Sequence, residues 1–483
     1  MKHLKNSLVI MLLTCCMVGF SQNKKLHIEP YVFKSNTGEK INAELGKFPV
    51  PENRKDATSR NINLHFVRFK STNPNPENPI VYLAGGPGGS GISTAKGNRF
   101  QLFMEMRKIA DVIAFDQRGT GLSNQIPSCK VQAKFPLDVP GDAKNYISKM
   151  SEASKKCISF WKKKGVAIEG YNTVENANDL EALRIALGAP KINLWGISYG
   201  SHLAFDFIKR YENSVDKVVL AGLEGLNQTI KLPKYNQNFL KYLNTKIQLD
   251  KSAAIEYPDL LKLMEKVLDD LEKTPQHVEV INPSSRKKIK VGISKLDVQL
   301  VTSFFLTKNP ENSIKLPYLF KKMSQGDFSE IAQMVVLLKT YAGRVQAMPL
   351  IMDAMSGVSK KRLKKIRRQS KHSLLGSTTN FPYPEISNKL DVTDLGNSFR
   401  KNPTSSVPAL FFSGTLDGRT YIESAKKIVT GFRNSSHIII DGAGHDMFMS
   451  TPKVKDLMLD FFRGNKIPSK SIEIKVPKFI LSK

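Results

Sequence analysis

The sequence predicts an α/β fold: a mostly parallel sheet with helices on both faces, interrupted by an inserted helical cap. Three observations predict it. Short, continuous apolar runs recur, each closed by a glycine turn. Helical periodicities separate them. The sheet signature then stops after about residue 226 and returns only at Val407. Continuous apolar strands suit a sheet covered on both faces, because neither face meets water.

The elements follow in order. Residues 1–21 read as an export signal: a basic start at Lys2 and Lys5, then an apolar run over residues 8–20, with small residues up to Ser21. The run is too short to span a bilayer, so no stable membrane insertion is expected, and the chain is placed in the periplasm or outside the cell. Residues 22–78 form an N-terminal strand region, in which Ile62, Leu64, Phe66 and the stem of Arg68 alternate onto one side. Residues 79–225 are the first part of the core. Its strands are Ile80-Val81-Tyr82-Leu83, Val112-Ile113-Ala114-Phe115, Ile192-Asn193-Leu194-Trp195 and Val218-Val219-Leu220-Ala221. Between them, Val174, Ala177, Leu180, Leu183 and Leu187 recur at helical spacing, and Gly188 and Pro190 end that helix. Residues 226–400 are the cap, lysine-rich and mostly helical, with strong helices over 260–271 and 330–341. Residues 401–465 resume the core with the strands at 407–412 and 438–440. Residues 466–483 read as a C-terminal tail.

The formal net charge is +30. Such a charge invites nucleic-acid binding. No zinc spacing, aromatic RNA-binding signature or helix-turn-helix accompanies it, so no nucleic-acid partner is expected. The densest run, Lys360 to Arg368, reads as a solvated face of the cap. No metal-ligand spacing appears either, and no cofactor is expected. Removal of the signal leaves two of the four cysteines, Cys129 and Cys157. An even pair in an exported chain predicts a disulfide.

Gly196-Ile197-Ser198-Tyr199-Gly200 is a G-x-S-x-G pattern set between an apolar strand and a helix. The glycines allow a sharp turn that lifts the serine above the sheet, and the N–H of Tyr199 then faces the developing oxyanion. Serine needs a base at neutral pH. Of the eight histidines, His445 alone sits on a glycine loop just after the last predicted core strand, in Gly442-Ala443-Gly444-His445. The base needs a carboxylate to fix its tautomer. Asp417 follows the strand at 407–412, and the order Ser198, Asp417, His445 suits this design. Asp441 and Asp446 lie so close to His445 that they read as shaping its loop. A second oxyanion donor comes from the glycines after the first core strand, Gly86 or Gly85.

Taken in series, Gly85-Gly86-Pro87-Gly88-Gly89, Asp116-Gln117-Arg118-Gly119-Thr120-Gly121, the serine turn, Gly414-Thr415-Leu416-Asp417-Gly418 and the His445 loop resemble the proline iminopeptidase and tripeptidyl aminopeptidase family of α/β-hydrolase serine peptidases. The resemblance covers most of residues 79–225 and 400–450. It implies an α/β-hydrolase core with a cap over the site, and removal of N-terminal residues or short peptides through an acyl-enzyme on Ser198. Peptides with a free N-terminus are the partners it implies. Their ammonium calls for a carboxylate near the cap, for which Glu224 is the first candidate and Asp353 the second. The two cysteines after the Asp116 loop are similar to the secreted branch. Proline iminopeptidases carry histidine before the Gly-Gly-Pro-Gly run, whereas this chain has Ala84, which favours the tripeptidyl type. An esterase on the same fold is the rival reading, and a non-catalytic scaffold is the third.

Overall fold

The structure is a computed structural model that describes residues 26–282 and 285–481. The export signal expected over residues 1–21 lies outside the described residues. Among those described, no helix is long and apolar enough to cross a membrane.

Among the described residues, seven strands form before the cap: β1 (His27–Lys34), β2 (Lys40–Pro51), β3 (Asn61–Phe69), β4 (Glu77–Leu83), β5 (Ala110–Asp116), β6 (Ile192–Ile197) and β7 (Val215–Ala221). The cap contains β8 (Gln276–Ile281) and β9 (Lys288–Ile293), and β10 (Ala409–Gly414), β11 (Ser435–Asp441) and β12 (Lys470–Glu473) follow it. All but β8 and β9 join one ten-stranded sheet in the order β1-β2-β3-β5-β4-β6-β7-β10-β11-β12. The pairs from β1 to β3 and from β3 to β5 are antiparallel, and the rest are parallel.

The continuous apolar strands have the expected cause. On β4, Ile80 and Tyr82 enter one core cluster while Val81 and Leu83 enter the cluster on the opposite face. Successive side chains alternate across the sheet, so both parities are apolar when helices cover both faces. The helices Thr173–Ala186 and Tyr199–Tyr211 cover one face, and Phe100–Met106 and Pro452–Phe462 cover the other. The α/β-hydrolase fold with an inserted cap is therefore present.

Three elements depart from the sequence reading. The cap is not wholly helical: β8 and β9 form an antiparallel hairpin, with Gln276 opposite Ile293. His277-Val278-Glu279-Val280 alternates with a period of two, which a strand satisfies and a helix does not. Residues 466–483 are more than a tail, because β12 extends the sheet beside β11 and buries Ile472. The run at 360–368 forms the helix Lys360–Ser370, where Ile366 is buried and Arg362 turns inward to donate to the Ile230 carbonyl at 2.8 Å.

Candidate active site

Ser198 stands between β6 and the helix Tyr199–Tyr211 with φ 56° and ψ −123°. A non-glycine residue at positive φ is strained, and the surrounding packing holds it there. Gly200 lets the helix press onto the end of β4: a Cβ at this position would stand 2.1 Å from the Leu83 carbonyl oxygen. Gly85 meets the serine itself, since a Cβ there would lie 3.1 Å from the Ser198 Cβ. The Tyr199 side chain turns into the core toward Thr173, which leaves its backbone N–H as the first of the helix. The opening N–H groups of a helix have no intrahelical acceptor and suit a developing anion.

Asp417 follows β10 and is 2% exposed. Its Oδ1 accepts from the N–H groups of Arg419 at 2.7 Å and Thr420 at 3.0 Å. Its Oδ2 lies 3.0 Å from His445 Nδ1 and also accepts from the Thr420 hydroxyl. Burial pushes this carboxyl up, but the His445 charge and the hydrogen bonds from His445 and Thr420 outweigh it and hold the group below the usual carboxylate range. His445 is carried on the loop after β11, where its N–H donates to the Lys308 carbonyl at 3.1 Å. Asp441 accepts from Thr415, Lys246 and Tyr242, and Asp446 accepts from Arg99 at 2.5 Å. Both rival carboxylates are thus engaged with other partners.

Ser198, His445, Gly85 and Gly86 line one cavity of about 1080 Å³. Glu224 and Asp353 line it as well. Glu224 is buried and forms an ion pair with Lys231. Asp353, on the cap helix Ala347–Ser356, has its carboxyl pushed up to about 7 by burial and the nearby Glu224, with Lys231 acting in the opposite sense.

The Asp116-Gln117-Arg118 motif holds this floor in place. Asp116 accepts from Ser90 Oγ at 2.5 Å and from the N–H of Leu122 at 2.8 Å, and Gln117 Nε2 donates to the Ala84 carbonyl at 3.1 Å. Arg118 is fully buried and clasps Asp179 through two bonds, at 2.6 and 2.7 Å. Cys129 and Cys157 form a disulfide, with Cα atoms 5.7 Å apart.

Lys231 and Arg99 are among the residues of the cavity wall that escaped the sequence reading. Lys231 is one lysine among many in the cap. Arg99 meets Asp446 across 347 positions of sequence, a contact that no local pattern announces.

The fold and this arrangement define the class: an α/β-hydrolase with serine, histidine and aspartate set at its sheet top. Residues 78–264 match the alpha/beta hydrolase fold family, and residues 388–473 match the TAP-like protein family. The chain resembles the proline iminopeptidase and tripeptidyl aminopeptidase family of α/β-hydrolase serine peptidases. A tripeptidyl aminopeptidase of Streptomyces lividans is 28% identical over 185 residues, 37% of this chain and 34% of that protein. The serine protease Hip1 of Mycobacterium tuberculosis is 28% identical over 188 residues, 37% of this chain and 36% of that protein. The matched stretch therefore spans about a third of the length of these relatives. The crystal structure of an alpha/beta hydrolase from a deep-sea metagenome library aligns with 85% of this chain and 97% of its own, at 13% identity and a TM-score of 0.38.

Proposed function

We propose that this protein is an exported serine aminopeptidase that removes N-terminal residues or short peptides, of the tripeptidyl type rather than the prolyl type. One observation carries the reading: Glu224 and Asp353 line the same cavity as Ser198. A bound peptide can then place its ammonium against carboxylates while a carbonyl lies at the serine. Lys231 pairs with Glu224, so an ionised Asp353 beside that pair adds one negative charge to receive a cation. The likeness to peptidases supports the same choice. The disulfide supports export, because such bonds persist in oxidising compartments.

In this reading His445 accepts the Ser198 proton as Ser198 Oγ attacks the scissile carbonyl, and Asp417 holds the imidazole tautomer and stabilises its cation. The N–H of Tyr199 and that of Gly86 or Gly85 receive the oxyanion. His445 then protonates the departing amine. A water, deprotonated by the same histidine, releases the acyl group and restores Ser198.

The test compares free-amine peptide amides, their N-acetylated forms and simple aryl esters, each with the wild type and with Glu224→Gln. Free-amine peptides are expected to be preferred over acetylated ones by roughly tenfold or more, the worth of a hydrogen bond to a charged group. Glu224→Gln is expected to raise KM for free-amine peptides and to spare N-acetylated esters. Equal turnover of free and acetylated peptides overturns the aminopeptidase assignment. Cleavage of esters alone favours the esterase.

A further inference from the structure

We infer that a second chamber beside the main cavity is a binding site for an apolar residue on the leaving-group side of the scissile bond. This rests on the aminopeptidase reading above. The chamber has a volume of about 610 Å³. Phe304, Lys308, Asn309, Phe381 and Arg419 line both spaces, so the two adjoin along one wall. Beyond that shared wall the lining is apolar and aromatic except for Asn312, with Met150, Leu300, Phe305 and Leu338 among it. Phe304 and Phe305 are presented by a π-helical turn, Thr302–Leu306, a rare geometry that concentrates at functional sites. Arg419 fixes that turn: it donates to the Phe304 carbonyl at 2.8 Å and lies over the Phe304 ring.

The side of the scissile bond follows from what the shared wall touches. His445 gives its proton to the leaving amine, so the leaving portion lies on the His445 side. Lys308 and Asn309 belong to that side. The Lys308 carbonyl accepts from the His445 N–H, and a Cβ on Gly444 would stand 2.7 Å from the Asn309 Cα. Arg419 stands two residues from Asp417 and donates its N–H to that carboxylate. Glu224 and Asp353 line the main cavity and are absent from the wall of the second chamber. The ammonium end and the apolar chamber therefore draw on different parts of the wall. Tyr146 also lines the chamber, and its buried hydroxyl has no hydrogen-bond partner among the described residues.

The test is a series of free-amine peptides that share one acyl portion and carry Ala, Leu, Phe or Asp after the scissile bond, read as kcat/KM. That ratio covers acylation, the step in which the leaving group departs. Phe and Leu are expected to exceed Ala by roughly tenfold to a hundredfold, the worth of seating a large apolar side chain. Ala342→Trp fills the chamber from the half-buried end of a cap helix, outside the main cavity. It is expected to bring the Phe/Ala ratio toward one. A wild-type ratio near one overturns the inference whether or not the variant folds, and so does an undiminished ratio in Ala342→Trp. If peptides resist cleavage and aryl esters do not, the aminopeptidase reading fails by itself. The chamber is then read with methyl and benzyl acetate: a benzyl preference lost in Ala342→Trp upholds it, and no preference overturns it.

Discussion

Lowering the pH through 7 is expected to release the substrate's ammonium before it disables the rest of the site. Burial and Glu224 place the Asp353 carboxyl at about 7, so Asp353 is neutral below that pH and charged above it. Glu224 already faces Lys231. Protonation of Asp353 therefore removes the one uncompensated negative charge near the ammonium. A hydrogen bond to a charged partner contributes about 1.5–3 kcal/mol, or roughly ten- to a hundredfold in affinity. The observable is kcat/KM for a free-amine peptide divided by that for an N-acetylated ester. Both substrates use Ser198, His445 and Asp417, so titration of that shared machinery divides out. The ratio is expected to rise with pH through about 7. It should fall again as the peptide amine loses its proton near 7.7–8.0. Asp353→Asn is expected to lie at the low plateau and to flatten the acid limb while keeping the alkaline one. An acid limb that survives in Asp353→Asn, or a wild-type ratio flat from pH 5 to 7.5, refutes the reasoning.

Three further outcomes are expected. Asp417→Asn should lower kcat for an aryl ester by about four orders of magnitude with little change in KM, because the amide no longer fixes the His445 tautomer. A loss below tenfold in steady-state assays would return the role to Asp441 or Asp446. Replacing Cys129 and Cys157 by serine frees a loop of 28 positions and should cost about 3–4 kcal/mol in urea unfolding, with reduced wild type matching the variant. Arg118→Met removes two hydrogen bonds to the buried Asp179, which keeps its ion pair with Arg54 at 2.7 Å, and should cost about 1.5–3 kcal/mol by the same measurement.

The parts legible in sequence were those encoded over a few residues. On β4 and β6 every buried position except Asn193 is apolar or small, so the strand announces itself. The serine turn needs glycine where the helix meets β4, and that requirement is printed in five letters. His445 and Asp417 were found because each follows a strand of the second core segment, so chain order stood in for distance. The elements that stayed hidden lack such a code. Strand β12 buries one residue, Ile472, in a run of charged neighbours, which is too little for a period to register. The hairpin of β8 and β9 sits amid helices and reads as one of them unless its alternation is weighed separately. Lys231 and Arg99 act through partners brought near by the fold, and single charges in a chain this basic look like surface.

The spacing between the serine and the ammonium site has a physical origin in the core. Ser201, one helical turn beyond the nucleophile, donates its hydroxyl to the Ser198 carbonyl at 2.6 Å and accepts from the Glu224 N–H at 2.9 Å. One side chain therefore ties the strained serine turn to the segment that leaves β7 for the cap. Glu224 is registered to Ser198 by the sheet and this hydroxyl. Asp353 stands on a cap helix whose Met348 and Ile351 join the same core cluster as Leu83 of β4 and Leu223 beside Glu224. Both carboxylates are therefore positioned against the core that carries Ser198. Under the aminopeptidase reading, the distance from Ser198 to the ammonium site, and with it the length of peptide released, is set by this shared packing.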